Sequence, residues 1–311
     1  MTVVIKSRSK SLKDTYLENL DGLTLKSVLN DISKNNRSLN TNRLRLSYIK
    51  EGKQVPIVSD AFFQEGTNFA NIELYVKDLG PQVSWRLVFV VEYLGPILVH
   101  SLLYYLSKNR TLIEKYHSQS KPYNPFMNKL AYSLIMAHYL KREFETLFVH
   151  QFSQSTMPLF NIFKNSFHYW VLNGAIAFGY FGYGFIFDDS KLFRAYSALR
   201  INNLGALVAL FVLAESWVFY VHIKLRLWGE AQKKKGNTTK RVPINNGMFS
   251  LLVAPNYTFE SWAWIFFSLI FKLNLFSLIF TAVSMAQMYL WAQKKNKKYG
   301  TKRAFLIPYV F

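Results

Sequence analysis

Asn203-Leu-Gly-Ala-Leu-Val-Ala-Leu-Phe-Val-Leu-Ala-Glu-Ser-Trp-Val-Phe-Tyr-Val-His222 is a twenty-residue run with one acidic residue, Glu215, and no Lys or Arg. A helix that crosses a bilayer needs roughly 20 mainly apolar residues, and this stretch supplies them. The next segment, residues 223–241, carries seven basic side chains against the single acid Glu230. An apolar run closed by a cationic block reads as a membrane helix that ends on the cytosolic side.

Working outward, apolar runs recur at 84–106, 129–150, 166–187, 249–271 and 273–293, which predicts six spans in all. The run at 129–150 is interrupted by Lys141, Arg142, Glu143 and Glu145, and the run at 249–271 contains Pro255, Asn256 and Glu260. An even count puts both termini on one side. Of the net charge of +20, residues 223–241 and 294–303 together supply +12, because the second block holds six basic residues and no acid. Charge concentrated in blocks beside apolar runs points to membrane topology rather than nucleic acid, and predicts cytosolic N- and C-termini. The 311 residues contain no cysteine, which excludes a disulfide framework, a thiolate metal site and a cysteine nucleophile.

The first 80 residues read differently. They carry 12 basic and 9 acidic side chains, and begin without the continuous apolar core of a secretory signal. Residues 2–8 read as a short strand. Leu25, Val28, Leu29 and Ile32 recur at helical spacing, whereas Leu44, Leu46 and Tyr48, then Ile72, Leu74 and Val76, alternate as in half-buried strands. The order strand, turn, strand, helix, strand, strand resembles a ubiquitin-like β-grasp. The predicted organisation is therefore a soluble α+β domain over residues 1–78 and a membrane-embedded domain over residues 84–311.

Polar residues inside the predicted spans are the functional signal, since an ionisable group at bilayer depth must face a cavity or a partner. Glu92, His138, Tyr139, Arg142, Glu143, Glu145, Glu215, His222, Asn256, Tyr257 and Glu260 are the candidates. Pro255 frees backbone carbonyls, so the segment Ala254-Pro-Asn-Tyr-Thr-Phe-Glu260 should line protein or water. His222 and Arg226 share a helical face at the cytosolic boundary, and Tyr299 opens a basic stretch that ends in an apolar anchor at Pro308. The surplus of Lys and Arg suits a phosphate-bearing ligand. None of the six His falls at metal-binding spacing, so no metal site is expected. No glycine-rich turn of the kind that cradles dinucleotides after a strand occurs either.

Five pieces taken together carry a resemblance: Gly80-Pro-Gln-Val-Ser-Trp-Arg86, Glu92-Tyr-Leu-Gly-Pro96, His138-Tyr-Leu-Lys-Arg142, Ala254-Pro-Asn-Tyr-Thr-Phe-Glu260 and Ala304-Phe-Leu-Ile-Pro-Tyr-Val-Phe311. In order and spacing the chain resembles the steroid 5α-reductase superfamily. It is most similar to the fatty-acid elongase branch, the fungal very-long-chain trans-2-enoyl-CoA reductases, whose ubiquitin-like front end the steroid reductases lack. The resemblance implies a steroid 5α-reductase-like bundle of about six transmembrane helices behind a ubiquitin-like domain. It implies NADPH-dependent reduction of a trans-2-enoyl-CoA to the saturated acyl-CoA at the endoplasmic reticulum membrane. That is the last step of very-long-chain fatty acid elongation, which feeds sphingolipid synthesis. The implied partners are the long-chain enoyl-CoA, membrane lipid and the other elongase-cycle enzymes, with no nucleic acid.

The same resemblance assigns residues. Tyr257 looks like the proton donor of the elongase reductases. Glu92 and Tyr139 resemble the pair that contacts the substrate carbonyl in the steroid branch; a carboxyl can donate there only in its protonated form. Asn256 and Glu260 match positions that contact the cofactor amide and ribose, and Arg226, His222, Arg142 and Tyr299 match positions near its phosphates or adenosine. Two positions depart from the pattern. Val218 stands where the family has Asn, and Lys295 stands where the steroid branch has His, although a cation there still suits a phosphate. The alternatives are a 3-oxo-steroid or polyprenol reductase of the same superfamily, an S-adenosylmethionine-dependent membrane methyltransferase, and a non-enzymatic elongase scaffold.

Overall fold

Alternation of side chains in the first strands separates a buried face from an exposed one, and that pattern organises the N-terminal part of the structure. The computed structural model describes residues 3–18, 22–64, 72–116, 124–152, 155–180, 190–201, 203–237 and 242–309. The chain divides into two compact units, Met1–Trp85 with Gln154–Asn161, and Arg86–Ser153 with Ile162–Phe311.

In the first unit, Val3–Ser7 (β1) turns Val3 and Ile5 inward and pairs antiparallel with Thr15–Leu17 (β2). Leu44–Lys50 (β3) and Lys53–Pro56 (β4) form a hairpin. Its two-residue turn, Glu51-Gly52, has φ of 51° and 72°, a double left-handed geometry that glycine adopts without steric cost. Leu74–Asp78 (β5) lies between β1 and β3, parallel to the first and antiparallel to the second, so the five-stranded order is β2-β1-β5-β3-β4. The register sets Ile5 against Leu74 and Leu46 against Val76, which fills one face of the sheet with apolar side chains.

Helix Leu25–Asn35 (α1) covers that face. Its N-cap Thr24 and Ser27 exchange hydrogen bonds in a capping box, and Val28 and Ile32, one turn apart, are fully buried. A four-residue helix, Ala61–Gln64 (α2), brings Phe62 and Phe63 to the same core. Gln82–Ser84 (β6) pairs with Thr156–Pro158 (β7) in a separate two-stranded ribbon.

The second unit is helical. It contains Trp85–Leu106 (α3), Arg110–Tyr116 (α4) and Pro125–Phe144 (α5), with the Asn124 side chain capping α5. A π-helical turn, Glu145–Val149, closes α5. Phe160–Ser166 (α6) passes through a second π-helical turn, Phe167–Asn173, into Gly174–Tyr180 (α7). Ser190–Ala198 (α8), Leu204–Lys234 (α9), Met248–Leu251 (α10), Pro255–Ile270 (α11) and Leu275–Tyr299 (α12) follow.

Among the described residues, α3, α9 and α12 are long and apolar enough to cross a membrane. Their faces are inverted relative to a soluble protein. On α3, Leu87, Leu94, Leu98, Leu102 and Tyr105 are exposed, whereas Glu92 and His100 are buried. On α9, Leu210, Val212, Leu213 and Trp217 are exposed while Glu215 and His222 are buried. Apolar outside and ionisable inside is the arrangement hydrocarbon demands.

The aromatic core of this unit joins Tyr93, Tyr139, Phe211, Trp264, Phe267 and Phe280 from α3, α5, α9, α11 and α12. Close approach is built in at Gly95, where a Cβ would overlap the indole of Trp170. That indole donates to the Val91 carbonyl at 2.9 Å, one residue from the carbonyl that Pro96 leaves without its helical donor. Part of the aromatic, Gly-rich run in the third predicted span, residues 181–187, lies outside the described residues, as do residues 238–241 of the basic block.

Candidate active site

Helix α5 presents His138, Tyr139 and Arg142 within a little more than one turn, and the π-helical turn adds Glu145. Helix α9 presents Glu215, Val218 and His222 as one buried stripe. Helix α11 contributes Glu260 and Trp264, and α3 contributes Glu92 and Tyr93. Residues far apart in the chain therefore meet in two connected polar groups.

In the first group His138 bridges two carboxylates: its Nδ1 is 2.9 Å from Glu215 Oε1 and its Nε2 is 3.5 Å from Glu260 Oε1. Lys141 Nζ closes on Glu215 Oε2 at 2.5 Å, and Trp264 Nε1 donates to Glu260 Oε1 at 3.3 Å. In the second group Arg142 donates to Glu145 Oε2 at 2.5 Å and to the Tyr93 hydroxyl at 2.6 Å, and its Nη1 lies 3.3 Å from His222 Nδ1. The same His222 nitrogen is 3.0 Å from Glu145 Oε2. Buried charges persist only when paired, and each carboxylate of the two groups faces a cationic or imidazole partner.

Tyr139 differs from its neighbours. It is fully buried, enclosed by the rings of His138, Tyr93, Tyr169 and Trp264 at centroid distances of 4.6 to 6.4 Å. Its hydroxyl has no hydrogen-bond partner among the described residues, and neither has Glu92 Oε2. A buried polar atom without a partner calls for an explanation, and a donor held ready for a ligand oxygen is one.

Tyr257 belongs to a different cluster. It packs with Met288, Ala292 and Phe305, its ring lies 6.0 Å from Trp291, and Lys295 Nζ stands 4.3 Å over the ring centroid. It precedes Trp264 by two helical turns on the same face of α11, about 10 Å along the axis. Asn256 beside it is half-buried. The C-terminal stretch is tied back here. Leu252 and Ala304 form a parallel bridge, and Thr258 donates to the Phe305 carbonyl at 2.6 Å. Asn296 organises the turn after α12, accepting from Thr301 Oγ1 at 2.8 Å and donating to the Arg303 carbonyl at 2.9 Å. A cleft of about 650 Å³ opens between α10, α12 and this turn, lined by Ser250, Gln293, Lys302 and Arg303 among others. Tyr299 is half-buried at the end of α12.

The residues singled out in the sequence thus divide. Tyr139, Arg142, His222 and Glu260 meet in the α5–α9–α11 network, and Glu92 is buried on the face of α3 that carries Tyr93. Tyr257 and Lys295 pair at the start of α11. Arg226 lies beyond His222 on α9, where it binds Glu230 at 2.9 Å and the Phe148 carbonyl. Sequence reasoning missed Tyr93, Trp264 and Tyr169, because an aromatic at helical spacing looks like packing. It also missed His150, whose ring stands 4.7 Å from that of His222. Glu145, His150 and His222 offer ligand atoms within 4.8 Å of one another. The Arg142 guanidinium, however, already contacts the carboxylate oxygen and imidazole nitrogen that a cation would need.

Residues 155–311 match the family model described as 3-oxo-5-alpha-steroid 4-dehydrogenase. The chain is 41% identical over 227 residues to a candidate enoyl reductase of Schizosaccharomyces pombe, covering 73% of this chain and 70% of that protein. It is 33% identical to the very-long-chain enoyl-CoA reductase of Dictyostelium discoideum, over 99% of this chain and 98% of the other. It is 32% identical to a probable very-long-chain enoyl-CoA reductase of Caenorhabditis elegans over the full length of both. A family model matching half the chain, with full-length relatives at this identity, establishes that the chain belongs to the 3-oxo-5-alpha-steroid 4-dehydrogenase family.

Proposed function

We propose that this protein is a very-long-chain enoyl-CoA reductase that reduces trans-2-enoyl-CoA to saturated acyl-CoA with NADPH. The observation that carries the reading is the buried, unpartnered hydroxyl of Tyr139 inside a paired ionic network, in a chain whose full-length relatives bear the enoyl-CoA reductase name. The residues fit a dinucleotide. Arg142, His222 and Arg226 supply cationic and imidazole groups along one side of α5 and α9, Lys295 and Tyr299 supply a cation and an aromatic ring on α12, and Asn256 and Glu260 offer amide and carboxylate partners on α11. Bound NADPH would supply the hydride that adds to Cβ of the enoyl thioester.

The chain's own groups do the rest. As Cβ accepts the electron pair, negative charge moves to the thioester oxygen, and the Tyr139 O–H, with Glu92 when protonated, donates to it. Burial among aromatic rings makes each such hydrogen bond stronger than in water. Tyr257 delivers the proton to Cα, and the ammonium of Lys295 above its ring stabilises the negative charge that its hydroxyl then carries. Carbonyl oxygen and Cα are separated by one carbon, so both tyrosines must reach the same end of the substrate. In this reading the reacting end of the substrate lies between the clusters that hold Tyr139 and Tyr257.

The wider architecture in this reading is a ubiquitin-like domain over residues 1–78 and a catalytic membrane domain over residues 84–311, with six spans and cytosolic termini in the endoplasmic reticulum. The β2-β1-β5-β3-β4 order with a capped helix across it supports the first part. The 20-residue α5, the continuous α6–α7 segment and α11 between α9 and α12 support spans beyond α3, α9 and α12. The proposal extends to association with other elongase enzymes and to supply of acyl chains for sphingolipids. The test is NADPH oxidation by purified protein with trans-2-hexadecenoyl-CoA, run beside a 3-oxo-4-ene steroid; turnover of the steroid alone would replace this reading with the steroid reductase.

A further inference from the structure

The five-stranded sheet has a second face that α1 does not cover. Alternation places Val4, Lys6 and Arg8 of β1 and its extension there, with Tyr16 of β2, Tyr75 and Lys77 of β5, and Arg45 and Ile49 of β3. Lys6, Arg8, Arg45 and Lys77 are all exposed. Arg45 and Lys77 stand directly opposite each other in the β3–β5 register, and neither has an ion-pair partner among the described residues. Like charges directly opposed across strands destabilise a sheet, so this pair works against the fold unless something anionic meets it.

Three acids of the unit are engaged elsewhere. Asp78 binds Arg43, Asp60 caps the first turn of α1, and Asp14 accepts from the Ser7 amide. On the face itself Glu73 is bound to Lys6 at 3.0 Å, and Glu18 lies just past β2. Beside the cations, Val4 and Tyr16 form an exposed cross-strand pair, with Tyr16 63% exposed.

We infer that this face is a docking surface for the anionic headgroups of the bilayer in which the protein itself sits. Connectivity favours lipid over an acidic protein. Only six residues separate Asp78 from Trp85, the first residue of the apolar helix α3, a reach of about 25 Å when extended. A cationic surface on so short a tether meets headgroups at high effective concentration. Basic side chains near an anionic leaflet are attracted individually, and Tyr16 is of the type that settles at the headgroup level. The inference rests on α3 crossing the membrane.

The chain contains no cysteine, so one introduced cysteine is a unique labelling site. Full-length Pro56→Cys, on the proposed face, and Lys34→Cys, on α1, are labelled with a fluorophore in nanodiscs carrying a headgroup-linked quencher. With about 30% phosphatidylserine the label at position 56 should be quenched about twofold or more above that at position 34, and the excess should vanish at about 0.5 M salt. It should vanish also in phosphatidylcholine alone, and in a Lys6→Gln, Arg8→Gln, Arg45→Gln, Lys77→Gln variant. Equal quenching at both positions, or no difference between the two lipids, overturns the inference and leaves the face to an acidic protein. The lipid and salt arms need no change to the face, so they stand even if the fourfold variant misfolds. Failure to enter nanodiscs at all would instead remove the membrane reading, and the inference with it.

Discussion

His138 lies between Glu215 of α9 and Glu260 of α11, 2.9 Å from one carboxylate and 3.5 Å from the other, so one imidazole ties three helices at the centre of the membrane unit. Lys141 reinforces the Glu215 side. Removing one member of a buried ionic group leaves the others unpaired in a low dielectric. Glu215→Ala should cost about 3–5 kcal/mol, seen as a large drop in thermal stability in detergent. Glu215→Gln, which keeps one acceptor for His138, should cost clearly less. Equal losses would mean that packing volume, not the ionic contact, matters at this position.

Gly95 tests the packing of α3. Its missing Cβ leaves the room that the Trp170 indole occupies. Gly95→Ala should destabilise by about 1–3 kcal/mol through overpacking. Adding Trp170→Leu should relieve that clash while costing its own lost contacts, so the double variant should be more stable than the two separate losses predict. A double-variant cycle in thermal unfolding reads the coupling.

The first unit should carry an acid-sensitive element. Arg43 donates to both oxygens of Asp78 at 2.7 and 3.1 Å, and this hydrogen-bonded pairing, aided by the Gly80 amide and the Ser11 hydroxyl, holds the Asp78 carboxyl below its usual pKa. A carboxyl whose pKa is lower folded than unfolded adds stability above the unfolded value, about 3.9. That contribution is lost as pH falls through the folded value. Asp78→Asn should therefore cost about 1.5–3 kcal/mol at neutral pH. The gap to wild type should narrow only below about pH 4. Hydrogen exchange of β3 and β5 amides across pH checks it; a gap unchanged by acid contradicts the pairing.

Much of this was legible in the sequence, for physical reasons. The apolar runs at 203–222 and 273–293 appear as α9 and α12, because hydrocarbon leaves backbone no option but helix. Helix α9 runs twelve residues past His222, into the basic block, since Lys, Arg and Gln favour helix as well as water. The β3–β4 hairpin was not legible. Its turn is Glu-Gly rather than Asn-Gly, and β4 shows little burial to read. The buried ionisable residues stood out by their cost, and His138, Arg142, Glu145, Glu215, His222 and Glu260 do converge. Tyr93 and Trp264 did not stand out in a chain that is 17% aromatic, although each supplies a polar contact to that network. Nor could spacing reveal that Tyr257 and Tyr139 fall in different clusters, because that depends on which end of α11 meets α5.

Arg142 offers a sharper probe of the site than its charge suggests. Its guanidinium reaches Glu145 and His222 through Nη1 and Tyr93 through Nη2, a fork that one ammonium cannot reproduce. Arg142→Lys should retain the folded protein but weaken NADPH binding about tenfold or more, measured by fluorescence titration. Unchanged affinity would remove Arg142 from the cofactor site.

The proposed chemistry is tested most directly by NADPH oxidation at 340 nm with trans-2-hexadecenoyl-CoA, for wild type, Tyr257→Phe and Tyr139→Phe, with cofactor binding measured alongside. The account predicts turnover by the wild type. It predicts loss of about 10²–10⁴-fold in kcat for Tyr257→Phe with binding retained, the range of a lost general acid. For Tyr139→Phe, removal of a carbonyl donor predicts about 10²–10³-fold. Cofactor binding without any oxidation of NADPH by the wild type would contradict the account.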